Sequence, residues 1–213
     1  MAQLVVDALL FDLDGTLVDS SASVERNWRR LAEKIGMPWE RIGPWIHGIP
    51  VRQVLRMLEP DMPDEQVQEL HEFMVVAEST DTGDVVAMPG AIRALDSLPT
   101  ARWAIVTSGG VTLATARMAA AGLPTPRHLI TADQVSVGKP APEPYLAGAA
   151  AVGYPPARCL AFEDAPAGIT SAQAAGVPVI GIRSTYAELA VTSVGSLAEV
   201  EFSVDRAGVI VTF

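Results

Sequence analysis

Hydrophobic positions along this chain fall into short unbroken runs separated by stretches with the helical period. Leu4 to Phe11 is apolar except for Asp7, a pattern expected of a strand buried on both faces of a parallel sheet. Trp103 to Val106, Leu160 to Phe162 and Val177 to Ile182 read the same way, with Leu129-Ile130 as a shorter fifth run. Between them lie alanine-rich segments with helical character, Ala91 to Leu98, Val111 to Ala121, Pro144 to Val152 and Ala167 to Ala175. Gly122, Gly153 and Gly176 close three of these, where a left-handed C′ residue ends a helix. This alternation predicts an α/β fold, a doubly wound parallel sheet with helices on both faces.

One stretch breaks the alternation. From Ser20 to Gly83 the pattern is helical throughout, with amphipathic segments at Ser21 to Ile35, Val51 to Leu58 and Asp64 to Ala77, and Asp64 is expected to cap the last. The polar segment Ser79 to Asp84 reads as the return hinge. The expected organisation is therefore a core of residues 1–18 and 85–213, with residues 19–84 inserted as an all-helical unit after the first strand. Gly208 to Phe213 is a candidate final strand.

Composition narrows the function classes. The chain has 213 residues, 49% hydrophobic and 19% charged, enough to bury a core and too apolar for disorder. Its net charge is −10 and no basic stripe is visible, so nucleic acid is not an expected partner. No apolar stretch is long enough to span a membrane. Asp7 and Asp12 interrupt the apolar N-terminus and no basic leader precedes it, so no signal peptide is expected. Cys159 is the only cysteine and sits in an apolar run, which reads as a buried small side chain and excludes an intramolecular disulfide. A cytoplasmic monomer is the expectation.

Polar chemistry is concentrated where the apolar runs end. Asp12-Leu13-Asp14-Gly15-Thr16 follows the first strand and places two carboxylates at its carboxyl end, where such sheets form their crevice. Leu13 can turn back to the core, and the Thr16 hydroxyl is expected to hold the turn. One carboxylate can attack phosphorus when a cation offsets its charge, and the other can move a proton. Thr107-Ser108-Gly109-Gly110 follows the second run and offers hydroxyls and main-chain N–H groups to an anion. Gly138-Lys139-Pro140 carries one of only 15 lysines and arginines, a point charge suited to a phosphate oxygen. Glu163-Asp164 ends the run at Leu160 to Phe162 and supplies oxygen ligands of the kind Mg²⁺ prefers. Each signal alone also fits capping, a solvated lysine or acids at a helix N-terminus. Their joint occurrence, each after an expected strand, points to one site.

In these motifs and their order the sequence resembles the haloacid dehalogenase superfamily. Within it the chain is similar to enterobacterial sugar phosphatases and to yeast glycerol-phosphate and 2-deoxyglucose-6-phosphate phosphatases. The likeness extends to about Tyr186, and the helical insertion matches the family's small cap. The resemblance implies Mg²⁺-dependent hydrolysis of a small phosphorylated metabolite, a sugar or polyol phosphate, through an aspartyl phosphate. It makes Asp12 nucleophile and metal ligand, and Asp14 the general acid/base with a carbonyl on the metal. It assigns Thr107 and Ser108 to the phosphoryl group, Lys139 to charge neutralisation, Asp164 to the metal and Glu163 to the metal directly or through water. An acidic protein that binds phosphate esters has particular need of such a cation.

Substrate choice is expected in the cap, with Trp45, His47, Gly48, Arg52 and Gln53 as candidates and His47 and Arg52 placed in the binding set. His71 and His128 read as structural, and Trp28, Trp39 and Trp45 as cap packing. The alternative is a phosphosugar mutase of the β-phosphoglucomutase type, but Val24 stands where that type carries a cap histidine. A phospho-acceptor module would not need Asp14, and dehalogenases of the family lack that second aspartate.

Overall fold

The computed structural model describes residues 2–46 and 49–213. The chain runs through β1 (Gln3–Val6), β2 (Ala8–Phe11), β3 (Val18–Asp19), α1 (Ser21–Ile35), α2 (Trp39–Ile42), α3 (Val51–Leu58) and α4 (Asp64–Thr80). It continues through β4 (Val86–Ala87), α5 (Ala91–Asp96), β5 (Trp103–Val106), α6 (Val111–Ala120), β6 (Leu129–Ile130), α7 (Glu143–Val152) and β7 (Cys159–Glu163). It ends with α8 (Pro166–Ala174), β8 (Val179–Ile182), β9 (Ser193–Val194), β10 (Glu201–Val204) and β11 (Val209–Thr212).

The main sheet has the order β6-β5-β2-β7-β8-β9, and every adjacent pair is parallel. The apolar runs that predicted it are buried on both faces because side chains alternate. Leu9, Phe11, Ile105, Leu160 and Phe162 join one core cluster, with Ala94 and Leu95 of α5 and Ala114 and Met118 of α6. Ala8, Leu10, Ala104, Val106 and Ala161 face the other way, onto Tyr145 and Ala149 of α7 and Ala172 of α8. Phe11 stacks on Phe162 across β2 and β7, centroids 5.4 Å apart, and Phe202 meets both rings edge-on.

The expected single strand over Leu4 to Phe11 is two strands. β1 leaves the main sheet and pairs antiparallel with β11, which also pairs with β10. The break is at Asp7, whose carboxylate takes the Arg158 guanidinium at 2.7 and 2.9 Å. β1 is largely exposed, unlike the fully buried β2. The C-terminal segment does form a strand, but it works here, packing Val209 and Val211 beneath the Leu9–Phe11 face. That face is thus covered by a small antiparallel sheet as well as by helices.

α1 to α4 form the helical insertion, with a core of their own that includes Trp28, Leu31, Ile42, Leu55, Leu70 and Met74. β3 and β4 pair antiparallel where the chain enters and leaves it. α1 also binds the return segment: the Arg26 guanidinium donates to Asp81 and Asp84, and Ser23 Oγ donates to the Asp81 carbonyl at 2.6 Å. Asp64 does not cap α4. It is already inside the helix after Pro63, and its carboxylate accepts from Arg56 instead. Trp28 is buried, Trp39 lies under the Arg29 guanidinium, and Trp45 is 39% exposed rather than packed. No helix among the described residues is long and apolar enough to cross a membrane.

Candidate active site

The strand ends converge as their parallel order requires. β2 leads into Asp12 and Asp14, β5 into Thr107 and Ser108, and β7 ends on Glu163 before Asp164. Together with Lys139 these side chains line one cavity of about 180 Å³ between the sheet's carboxyl edge and the helical insertion. Leu13 is fully buried between the two aspartates, as expected. The turn after Asp12 is held by main chain: Gly15 N–H donates to the Val18 carbonyl at 2.8 Å, and the Leu17 and Val18 N–H groups donate to the Leu13 carbonyl. The expected role of Thr16 fails, since its buried Oγ1 has no partner among the described residues. Gly15 is required twice over. Its φ is +86°, and a Cβ there would lie 2.1 Å from an Asp164 carboxylate oxygen.

Lys139 is the electrostatic centre. Its Nζ donates to Asp12 Oδ1 at 2.6 Å, Glu163 Oε1 at 2.6 Å and the Val106 carbonyl at 2.9 Å, using all three N–H bonds. Burial opposes the ammonium's charge, but Asp12 and Glu163 outweigh it and Lys139 stays protonated. Glu163 is its fixed partner. Oε1 also accepts from the Tyr145 hydroxyl at 2.9 Å, and Oε2 accepts from the N–H groups of Asp164 and Ala165. Gly168 makes room for it, because a Cβ there would lie 1.7 Å from Glu163 Oε1.

Asp12, Glu163 and Asp164 each offer a carboxylate oxygen, all within 4.8 Å of one another and all buried. Burial raises the Asp12 carboxyl above its ordinary value, with Lys139 acting against the rise and the charges of Glu163 and Asp164 adding to it. Asp164 is pushed up to about 7, first by burial and then by Glu163, against a hydrogen bond from Thr185. Three buried carboxylates thus face one ammonium. An all-oxygen donor set with uncompensated negative charge fits a hard divalent cation, which would return the Asp12 and Asp164 carboxyls to their ionised forms. Since protein donors already occupy both Glu163 oxygens, Asp12 and Asp164 are the carboxylates better placed to hold it.

Thr107 Oγ1 accepts from the Gly109 N–H at 3.0 Å and keeps its own proton to donate, while Ser108 lies half-buried beside it. Asp14 stands on the other side. Its Oδ1 accepts from Ser20 Oγ at 2.7 Å and pairs with Arg117 Nη1 at 2.8 Å. Arg117 then reaches Glu78 of α4, with Nη2 2.7 Å from Oε2. Neither Arg117 nor Glu78 is apparent from motif spacing, yet a lone arginine in the alanine-rich α6 was a usable signal. Tyr145, Ser20 and Thr185 were likewise missed.

The helical insertion contributes mostly apolar lining, including Val24, Trp28, Ile46, Ile49, Met74 and Val75. His71, expected to be structural, also lines the cavity; burial lowers its pKa and Arg52 adds to that. Arg52 and Gln53 are exposed on α3, and neither they nor Trp45 lies among the lining residues. His47 and Gly48 lie outside the described residues.

Residues 6–176 match the model of the haloacid dehalogenase-like hydrolase family. The chain belongs to that family. It is 42% identical over 177 residues to hexitol phosphatase A of Escherichia coli strain K12, covering 82% of each chain. It is 34% identical over 194 residues to glycerol-1-phosphate phosphohydrolase 2 of Saccharomyces cerevisiae, covering 86% of this chain and 77% of the yeast enzyme. A hydrolase from Pseudomonas syringae of known structure superposes with a TM-score of 0.75 at 32% identity, covering 84% of this chain and 85% of that one. With these family members as relatives, the chain is an enzyme of the phosphoric monoester hydrolase class.

Proposed function

We propose that this family member hydrolyses sugar or polyol phosphate monoesters in two steps through an aspartyl phosphate on Asp12. The observation that carries the reading is the Asp12–Lys139 contact of 2.6 Å in a cavity that also holds Asp14, Thr107 and Asp164. The Asp12 carboxylate attacks phosphorus, the bond to the ester oxygen breaks, and Asp14 gives that oxygen its proton. Asp14 then takes a proton from water as the water oxygen attacks the aspartyl phosphate, and the phosphorus–Asp12 bond breaks to release inorganic phosphate. Thr107 and the main-chain N–H groups after it hold the equatorial oxygens, and Lys139 keeps like charges from repelling.

Mg²⁺ would be held by Asp12, Asp164 and the Asp14 carbonyl, with Glu163 behind them. When bound it supplies positive charge against the carboxylates and the phosphoryl group. The helical insertion serves as a cap, closing the cavity against bulk water.

Phosphate release from a panel of phosphorylated metabolites, with Mg²⁺ or with excess chelator, tests this for wild type and Asp12→Asn. Release should need both Mg²⁺ and Asp12, and Ca²⁺ should substitute poorly because its looser coordination misplaces the nucleophile. Full activity in chelator would remove the metal from the reaction. Conversion of β-glucose 1-phosphate to glucose 6-phosphate without phosphate release would favour a mutase, although Val24 lines the cavity where that type carries a histidine.

A further inference from the structure

The Arg117–Glu78 pair is costly as mere scaffolding. Arg117 is 4% exposed and Glu78 6% exposed, and a buried ion pair is rarely more stabilising than apolar side chains of similar volume. The pair joins α6 beneath the sheet's edge to α4 of the helical insertion, and both residues line the cavity. Arg117 also holds Asp14, so the carboxylates of Asp14 and Glu78 take the two terminal nitrogens of one planar guanidinium and stand side by side.

Two polar atoms of this pair are left over. Arg117 Nε is buried with no hydrogen-bond partner among the described residues, and of the two Glu78 oxygens only Oε2 accepts a hydrogen bond there. Ser20, the other side chain on Asp14 Oδ1, is committed to it. The neighbouring wall is apolar, from Val24, Trp28, Met74 and Leu113. A leaving group entering here meets a free acceptor next to the group that handles its ester oxygen.

We propose that Glu78 is a specificity residue that accepts a hydrogen bond from the hydroxyl on the carbon next to the ester carbon, with Arg117 holding it in register with Asp14. The inference rests on the phosphatase reading above and narrows it to esters with a vicinal oxygen pair, as in polyol and sugar phosphates. An acceptor that the bound ester closes off from water discriminates strongly against an analogue lacking the hydroxyl, because the acceptor is then left unpaired. A purely structural pair would not distinguish the two.

The test compares kcat/KM for glycerol 1-phosphate and for 1,3-propanediol monophosphate, which lacks only the adjacent hydroxyl. Wild type, Glu78→Ala and Glu78→Met are measured, with p-nitrophenyl phosphate as a third ester. Wild type should prefer glycerol 1-phosphate by at least tenfold, and the folded variants by threefold or less. A wild-type preference under tenfold overturns the proposal without any variant having to fold. So does a preference that survives in either variant, including an equal loss on both esters. Turnover of p-nitrophenyl phosphate without turnover of either glycerol-type ester also counts against it. No release from any of the three esters is instead the failure of the phosphatase reading.

Discussion

Lys139 and Asp12 meet at 2.6 Å although 127 residues separate them in the chain. The contact is buried, and the same ammonium also holds Glu163. Replacing Lys139 with Met leaves two buried carboxylates facing each other without a cation. The expected loss is about 3–5 kcal/mol of stability together with nearly all activity. Urea unfolding and phosphate release measure the two; a variant as stable as wild type would contradict the electrostatic role.

Asp12→Asn should behave differently. It removes one charge from a cluster with excess negative charge and leaves Lys139 paired with Glu163. Turnover should be lost, while the melting temperature of the metal-free variant should match or exceed wild type. A thermal scan in chelator checks this, and a marked drop in Tm would refute the charge balance described.

Gly168→Ala should disrupt Glu163 without touching a proposed reacting group, since the new Cβ would lie 1.7 Å from its carboxylate. A destabilisation of about 3 kcal/mol is expected from the forced repacking, with reduced kcat because Lys139 loses an anchor. Gly153→Ala is the control. Its φ is +81° but its Cβ meets open space, so only backbone strain of about 1 kcal/mol is expected. Equal effects of the two in denaturant titrations would remove the steric argument.

Glu78 makes stability depend on pH. Burial raises its carboxyl from 4.5 to about 7, against the Arg117 charge and helped by Asp14. The folded state therefore holds this proton more tightly than the unfolded state. The associated stability is fully present below about 4.5 and is lost as pH rises toward about 7. Glu78→Gln lacks this titration, so its stability relative to wild type should improve by about 3 kcal/mol between low pH and pH ~8. Denaturant titrations across that range test it, and a difference independent of pH would refute it.

The amino-acid sequence by itself determined the parallel strands, the helices between them and the ends on which Asp12, Asp14, Thr107 and Glu163 sit. Those features are local: a run buried on both faces, a helical period and a glycine after the last turn leave their mark in neighbouring residues. Lys139 was legible because the short loop around it limits where its side chain can go. Tertiary structure alone decided the rest. Asp7 splits an apolar run because Arg158, 151 residues away, takes its carboxylate. The C-terminal strand pairs with β1, though nothing local marks its partner. Glu78 looks like an ordinary helix charge and Arg117 stands out only as the lone arginine of α6; that folding brings the two, 39 residues apart on different helices, together beside Asp14 leaves no local mark. A charge's environment belongs to whatever packs around it, and the helical period shows which face a residue occupies, not what that face will meet.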